Sequence, residues 1–264
     1  MEAPITALGF SEIDKKYTIE EIVGEILNKP TKQQVSREKS KNVVVEQCEP
    51  YLVAKYTINV EELTTEAIDD EYNYYVICEE RETGVQFIFW LQNVVQYMEA
   101  AEHKKTFNQV KIAALAMEGT FVLAIENDAE DDEVELEEKE KIKVMIQKAR
   151  EGDEEARAQL EEEEKEMDDQ LKERMYQEDF LSIMSGYFVP ATLVDANYAI
   201  LGEIKEMATR TNEKTGEEVY LFTLDVNDMP LEVMINKKQL VGYPSVGMRF
   251  MGTCWLQGTI ITDN

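Results

Sequence analysis

The side chains that could carry out chemistry are few in this sequence, and their spacing suits no common catalytic arrangement. His103 is the single histidine, so a site that needs two imidazoles is excluded and the common zinc frameworks cannot be assembled. It lies in AEHKK, at the polar end of a predicted helix, where a histidine can approach exposed carbonyl groups. Cys48, Cys78 and Cys254 form no CxxC pair and have no histidine beside them. We therefore expect buried thiols in a reduced protein.

Sequence motifs for the other common chemistries are also missing. The chain contains no GxxxxGK[ST], no GxGxxG after a strand, no GxSxG and no HExxH. The run that starts at Asp128 resembles a calcium-binding loop, but it has Glu133 where that loop needs glycine and Lys139 where it needs glutamate. Pairs of carboxylates are expected by chance in a chain with 55 acidic residues, so they do not indicate a catalytic site. We expect a protein that is not an enzyme and has no cofactor and no metal site.

The net charge argues against two classes of partner, nucleic acids and anionic membranes. The chain carries 27 basic and 55 acidic residues, which gives a formal net charge of −28. Affinity for nucleic acid or an anionic membrane comes from Lys and Arg, so the charge argues against both partners for the whole chain. The sequence has no apolar run of about 18 residues, and its start lacks the basic and apolar regions of a signal peptide. A cytoplasmic location is expected.

The charge is concentrated in the middle of the chain, and this divides the sequence into three parts. Residues 128–180 hold 23 acidic and 9 basic residues, whereas both ends are milder. We predict domains at 1–127 and 181–264, joined by an acidic linker and a helical arm over 128–180. The composition leaves open whether the arm is one helix, a helix hairpin or partly disordered.

Local signals within the arm predict two helices. Helix-forming residues fill 134–150, Gly152 suits the left-handed residue after a helix, and Asp153 suits the N-cap of the next helix. The second helix contains an acidic run that is a candidate for partner binding, although such a run can also be a solvated helix face. Its members are Glu161, Glu162, Glu163 and Glu164.

Residues 1–127 have the pattern of a mixed α+β domain with an antiparallel sheet. Thr18 and Glu21 form a capping box that predicts a helix over 18–28. Another helix is predicted over 94–103, and Gly84 suits a hairpin turn. Strands are predicted over 42–46, 51–59, 72–79, 85–91 and 120–125.

Residues 181–264 have the pattern of a small all-β domain. Strands are predicted over 198–207, 218–226, 231–236, 247–256 and 259–262, with a short helix or loop at 237–241. This order is typical of a partly open OB-type barrel, although other small barrels give the same pattern. The open face of such a barrel could present Tyr220, Phe222, Arg249 and Trp255. Side chains of these types can stack on single-stranded nucleic acid, but only six basic residues occur here, which favours structural aromatics or a protein-binding face.

Five segments of the chain carry a family resemblance. They are LGFSEI, AREGDEEA, QEDFLSIMSGYFVP, YAILGEI and INKKQLVGYPSVGMRFMGTCWLQG. Together they resemble an uncharacterised domain family of clostridial bacteria, over residues 7–262, with the GDEEA turn and the VGxRFxGxxWLQG end as the more specific parts. The acidic run EEEEKEMDDQ departs from that pattern. The resemblance implies a cytoplasmic bacterial protein of unknown function, and it supplies no reaction and no site residue.

These observations favour two functions and leave two more open. The first is a non-enzymatic protein-binding or scaffolding module. The alternative is an acidic inhibitor or immunity-type protein, whose carboxylates block a basic, nucleic-acid-binding site on a partner enzyme. Nucleic-acid binding by residues 181–264 and an enzyme with carboxylates in a cleft between domains remain open. The expected partner is a protein in both favoured cases, and a basic one in the second.

Overall fold

A computed structural model describes most of the chain. The described residues are 2–11, 32–38, 41–47, 52, 54–68, 74–103, 106–124, 129–175, 181, 184–192, 195–212 and 215–262. They form a mixed α/β structure with one large sheet. No helix within these ranges is long and apolar enough to cross a membrane.

The described residues form twelve strands, most of them short and a few long. In the strand Gln86–Leu91, the alternate residues Phe87, Phe89 and Leu91 are buried, so one face of the strand packs on the core. The strands are β1 (Lys32–Glu38), β2 (Lys41–Gln47), β3 (Ile58–Ala67), β4 (Tyr74–Glu80), β5 (Gln86–Leu91), β6 (Gln109–Val122), β7 (Tyr187–Pro190), β8 (Asn197–Thr211), β9 (Glu218–Val226), β10 (Met229–Asn236), β11 (Leu240–Val241) and β12 (Arg249–Ile260).

The two longest helices meet at the turn that the sequence predicted. Gly152 has a left-handed φ of 94°. The Oδ1 atom of Asp153 accepts hydrogen bonds from the backbone N–H of Glu155 (3.0 Å) and of Ala156 (3.2 Å), which makes it the N-cap. The helices are α1 (Glu2–Thr6), α2 (Val94–Glu102), α3 (Ala129–Arg150) and α4 (Glu154–Met175), with a 3-10 turn at Lys237–Gln239. α3 and α4 contact each other, so the arm is a helix pair.

The large sheet is built from two antiparallel meanders and two long strands that join them. β1 and β2 form a separate two-stranded sheet. β3–β4–β5 is one meander and β8–β9–β10 is the other. The long strands β6 and β12 pair antiparallel with each other. β6 pairs with β3 and, in parallel, with β10, whereas β12 pairs with β8 and, in parallel, with β5. The pairings form two closed circuits of strands that share β6 and β12. One circuit is β3–β4–β5–β12–β6, and the other is β8–β9–β10–β6–β12.

Strands from both sides of the arm therefore belong to one sheet. The mixed α/β class is confirmed at this level. A separate C-terminal barrel is not confirmed, because the circuit that contains β8, β9 and β10 closes through β6. The division of the chain into three domains stays a prediction, and its first and third parts share a sheet through β6 and β12.

Glycines in β12 allow the two long strands to approach closely. A Cβ atom at Gly252 would lie 2.5 Å from the carbonyl oxygen of Glu118, and one at Gly258 would lie 2.4 Å from that of Lys111. The predicted break at 257–258 is wrong, because Gly258 lies inside one continuous strand. Glycine here permits close packing between strands and does not make a turn.

Most of the short predicted elements are present. The strands predicted over 42–46, 72–79, 85–91, 198–207, 218–226 and 231–236 correspond to β2, β4, β5, β8, β9 and β10, and the predicted helix over 94–103 corresponds to α2. Two strand predictions are wrong in extent. The strand predicted over 51–59 begins only at Ile58, and that over 120–125 is the end of β6, which begins at Gln109. The predicted helix over 18–28 lies outside the described residues.

Two apolar clusters lie on opposite faces of the shared strands. The main cluster includes Phe222 and Phe250, which are fully buried with ring centroids 5.6 Å apart. On the other face, Ala113 and Leu115 of β6 belong to a smaller cluster. Its other buried members are Ala7, Leu52, Ala54, Val219 and Met234. Leu52 and Ala54 therefore pack on the sheet and are not part of a strand.

Candidate interaction surface

The helical arm, residues 129–175, packs through a narrow stripe of buried side chains, and the rest of α4 is exposed where its side chains are described, over residues 154–166. Ala149 and Ala156 are 9% and 4% exposed on either side of the turn. Leu160 and Glu163 are half-buried and continue the stripe with helical spacing. The other residues from Glu154 to Glu166 are exposed. The arm therefore has an inner side that packs and an outer side that meets solvent.

Arg150, at the end of α3, attaches the arm to the turn between β4 and β5. Its Nη2 atom lies 2.5 Å from Oε1 of Glu79, and both side chains are largely shielded from solvent, at 20% and 28% exposed. The guanidinium also donates to the backbone carbonyl oxygens of Glu80 and Arg81. An ion pair that is partly buried and multiply hydrogen-bonded is screened less than one on an open surface.

The turn that receives Arg150 is organised by a buried carboxylate. Glu80 is 8% exposed and accepts hydrogen bonds from the backbone N–H of Glu82 (2.8 Å) and of Thr83 (2.5 Å). It also accepts one from the Thr83 hydroxyl (2.7 Å). Gly84 completes the turn with a φ of 71°, as the sequence predicted. The hydrogen bonds of Glu80 thus hold the turn whose carbonyl groups bind Arg150.

Lys143 lies two helical turns before Arg150 and contacts both hairpins. Its Nζ atom is 3.5 Å from a carboxylate oxygen of Glu82, in the β4–β5 turn, and 4.0 Å from one of Asp228, in the β9–β10 turn. Residues seven apart lie on the same side of a helix. One side of α3 therefore faces the acidic hairpin turns through its basic residues.

Arg249 holds the chain segments that lead into and out of the arm. It begins β12 and is 4% exposed. Its Nε and Nη2 atoms donate to the carbonyl oxygen of Leu123 at 2.9 and 2.8 Å, and its Nη1 atom donates to that of Met184 at 2.6 Å. Burial lowers the pKa of the guanidinium, which still stays protonated as arginine does in proteins. We call this arrangement the arginine clamp.

Carboxylates dominate the outer side of α4. Of the predicted acidic run, Glu161, Glu162 and Glu164 are exposed. Glu163 is half-buried and lines a shallow depression between the two helices. The exposed acidic residues of α4 with described side chains are Glu154, Glu155, Glu161, Glu162, Glu164 and Glu166. The structure brings the predicted run onto one exposed helix, with one member turned inwards.

The other four candidate residues do not form an exposed set. Phe222 and Arg249 are buried, so they cannot touch a partner without a rearrangement. Tyr220 is half-buried and stacks on Phe222, with ring centroids 5.7 Å apart. Trp255 is half-buried against Trp90, with centroids 5.8 Å apart. The aromatic members contribute to packing of the sheet, and Arg249 forms the arginine clamp.

The cysteine thiols of the described residues are buried, and the histidine ring contacts a backbone carbonyl group. Burial raises the pKa of the Cys78 and Cys254 thiols, whereas Cys48 lies outside the described residues. The Nδ1 atom of His103 is 2.7 Å from the carbonyl oxygen of Glu99, at the end of α2, as expected from its position. No cluster of three His, Cys, Asp or Glu side chains that could hold a metal occurs among the described residues.

Sequence reasoning did not identify the polar cluster around Glu217. Its carboxylate accepts hydrogen bonds from the Ser11 hydroxyl (2.6 Å), the Asn236 amide (2.6 Å) and the Lys238 ammonium (2.7 Å). Burial by itself would raise the pKa of Glu217, but the hydrogen bonds from Lys238, Ser11 and Asn236 lower it to about 2. Ser11 is 206 residues from Glu217, so no local signal reveals the cluster. It fastens residues 2–11 to the sheet.

A protein-family model matches residues 38–258, a span that includes both meanders, the arm and most of β12. The family is described as a domain of unknown function, E. rectale gene description (DUF3881). The chain belongs to this family. The clostridial resemblance of the sequence is confirmed, and α1 lies before the matched span. The comparisons with curated proteins and with solved structures give no match.

Proposed function

We propose that this protein is a non-enzymatic binding module of the bacterial cytoplasm whose helical arm holds a basic protein partner. The exposed row of carboxylates on α4 is the observation that carries the proposal. Two bases of α3, Lys143 and Arg150, are engaged with the sheet. Between Glu154 and Glu166, α4 exposes six carboxylates and only two bases, Arg157 and Lys165. The outer side of α4 therefore keeps its negative charge, which attracts a basic surface and speeds its association.

The way the arm is attached supports this role. Arg150 and Lys143 fasten one end of α3 to the hairpin turns, and Arg249 holds the carbonyl groups of Leu123 and Met184 near the two ends of the arm. A surface that is ordered before binding loses less conformational entropy when the partner arrives. The carboxylates of α4 would thus be presented in a fixed arrangement.

We also propose that the circuit of β8, β9, β10, β6 and β12 is a small barrel with the strand order of OB-type domains. In that order a meander of three strands is followed by a fourth strand that pairs with the first. The support is that β12 pairs with β8 and that β6 runs parallel to β10 and antiparallel to β12. The strand that closes this barrel would come from the N-terminal part of the chain.

The second candidate is an acidic inhibitor that occupies a nucleic-acid-binding site on a partner enzyme. Its support is the spacing of the carboxylates on α4. Glu162 and Glu166 are one helical turn apart on the same side, which is about 6 Å along the axis. Neighbouring phosphates of one DNA strand advance about 3.4 Å along the axis and are also rotated about it, so the distance between them exceeds this rise and is similar to one helical turn. Carboxylates at this spacing can take the place of phosphates against a basic surface.

Capture of partners by an arm variant tests the proposal. The variant carries Glu161→Gln, Glu162→Gln, Glu164→Gln and Glu166→Gln, all at exposed positions of α4. Wild type and variant are immobilised and incubated with lysate from the native host at low salt, and the bound proteins are identified by mass spectrometry. We expect basic proteins on the wild type that are lost from the variant and released from the wild type at high salt.

A control variant removes the same number of charges elsewhere. It carries Glu62→Gln, Glu66→Gln, Glu99→Gln and Glu102→Gln, which are also exposed. It should capture the same partners as the wild type. Equal loss from both variants would mean that net charge alone acts, and no loss from the arm variant would exclude the arm as the binding surface. If the captured partner binds nucleic acid and this protein displaces that nucleic acid, the inhibitor role is favoured over a scaffold.

A further inference from the structure

The two strand circuits follow the same plan along the chain. The first unit, residues 58–122, runs β3–β4–β5, then α2, then the long strand β6. The second unit, residues 197–260, runs β8–β9–β10, then a 3-10 turn and β11, then the long strand β12. In each unit the first strand pairs antiparallel with the unit's own long strand. In each unit the third strand pairs in parallel with the long strand of the other unit.

The pairing registers of the two units agree residue by residue. Val60 lies opposite Glu80 in the first unit, and Ile204 lies opposite Leu224 in the second, each residue 144 positions later. In both first strands the pairing register shifts directly after this pair. The same shift of 144 positions relates the later pairs of the two hairpins, from Leu63–Cys78 and Met207–Phe222 to Ala67–Tyr74 and Thr211–Glu218.

The long strands keep this correspondence. Ile58 pairs with Val110 in the first unit, and Gly202 pairs with Phe250 in the second, so the long strands are related by a shift of 140 positions. At the centre of the β6–β12 pairing, Leu115 lies opposite Trp255, which is also 140 positions later. Equivalent residues of the two units thus face each other there, as they do at a twofold axis.

Burial follows the same correspondence although the residue types differ. Val110 and Phe250 are equivalent, and both are 0% exposed. Ala116 and Leu256 are also equivalent and are 0% exposed. A small side chain in one unit is matched by a large one in the other. A core tolerates such changes when the total volume is kept, and they make the repeat hard to see in the sequence.

We infer that the fold is an internal duplication in which each unit completes the other by donating its long strand. The third strand of each meander has an edge that pairs with the long strand of a second copy of the unit. The chain contains that second copy. The helical arm joins the two units, since it lies between β6 and β8. Neither unit is a domain that folds without the other.

Cutting the chain in the arm tests this inference on the whole protein. A protease site is inserted after Gly152, in the exposed turn between α3 and α4. The intact and the cut protein are compared by native mass spectrometry and by denaturant unfolding. We expect the cut protein to keep the mass of the intact one and to unfold in a single transition that releases both fragments. Two transitions, or a folded fragment released below the main transition, would overturn the inference.

Substitutions at equivalent core positions provide a second test. Phe89 pairs with Val76 in the first unit, and Ile235 pairs with Tyr220, the equivalent of Val76, in the second. Phe89 and Ile235 are both fully buried. Phe89→Ala and Ile235→Ala should each raise the hydrogen-exchange rate of the most protected amides by about a hundredfold or more. Within each variant, the amides of both units should be accelerated by the same factor. Ile235→Val is the milder variant if the alanine variants do not fold. A rise confined to the unit that carries the substitution would contradict the inference.

Discussion

Replacement of Arg249 by methionine should loosen both ends of the helical arm while leaving the sheet folded. Arg249 joins Leu123 and Met184 through hydrogen bonds of 2.6 to 2.9 Å. These two carbonyl groups come from opposite sides of the arm. Methionine has a similar length and fills the apolar space, but it offers no donor. The substitution therefore removes the connection and keeps most of the packing.

The expected loss of stability is modest because two effects oppose each other. Each hydrogen bond from a charged donor contributes about 1.5–3 kcal/mol, and three are lost. Against this, the charge of Arg249 is buried at 4% exposure, with carbonyl groups as its partners in the described part of the chain. Removing a buried charge recovers several kcal/mol of desolvation. We expect a net loss of about 1–3 kcal/mol for Arg249→Met. Arg249→Lys should lose at least as much, because it keeps a buried charge with fewer donors.

Hydrogen exchange read by mass spectrometry locates the effect, and urea unfolding measures its total size. Peptides that cover 119–124 and 184–190 should exchange faster in Arg249→Met, whereas peptides from β4 and β5 should change only by the global loss. If the proposed function is correct, capture of the basic partner should also weaken, because the carboxylates of α4 are less ordered.

Two results would show that Arg249 does not act by holding the arm through its donors. Uniform acceleration across the whole sheet would mean that Arg249 stabilises the core and does not hold the arm. Full stability in Arg249→Lys with a large loss in Arg249→Met would mean that the positive charge itself is required, and not the fork of donors that reaches two carbonyl groups.

Three further substitutions test the contacts described above. Glu217→Gln should cost about 1–2 kcal/mol at neutral pH. Because the folded pKa of Glu217 is about 2, below its ordinary 4.5, its contribution is present above pH 4.5 and is lost as the pH falls towards 2, so the difference between wild type and variant in urea unfolding should shrink on acidification. Tyr198→Phe removes the acceptor of the Ile88 N–H (2.7 Å) and should cost about 1–3 kcal/mol in the same assay. Gly252→Ala should lower the melting temperature by several degrees, because its Cβ would lie 2.5 Å from the Glu118 carbonyl oxygen. Unchanged stability in any of these variants would contradict the corresponding contact.

Local features were predictable where a few neighbouring residues decide the backbone. Gly84 and Gly152 have the positive φ values that their positions in a hairpin turn and after a helix suggest. Asp153 caps α4 through hydrogen bonds to residues two and three positions later. Interactions of this range are contained in the sequence pattern, so the hairpin and the helix pair could be located without the fold.

The long strands were predicted less well because their character depends on distant partners. The first part of β6 is rich in alanine, a residue that is depleted in strands, yet Ala113, Ala114 and Ala116 are fully buried there. Small side chains suit a strand that packs on both faces and pairs with several neighbours. Gly258 has a similar explanation, since the close approach of β6 requires it. These requirements arise only after the two units come together.

The acidic arm, its two helices and the absence of familiar catalytic motifs follow from the sequence alone, because charge, capping and motif spacing are properties of short segments. Which of those residues face solvent, and how the arm is attached, depends on the tertiary structure. Arg249 is 126 residues from Leu123 and 65 from Met184, so no local pattern connects them. The same is true of the β6–β12 pairing, which joins the two halves of the chain in one sheet. Strand pairing over such separations is selected by the total burial and hydrogen bonding of the folded molecule, and that is why the sequence alone did not reveal the shared sheet.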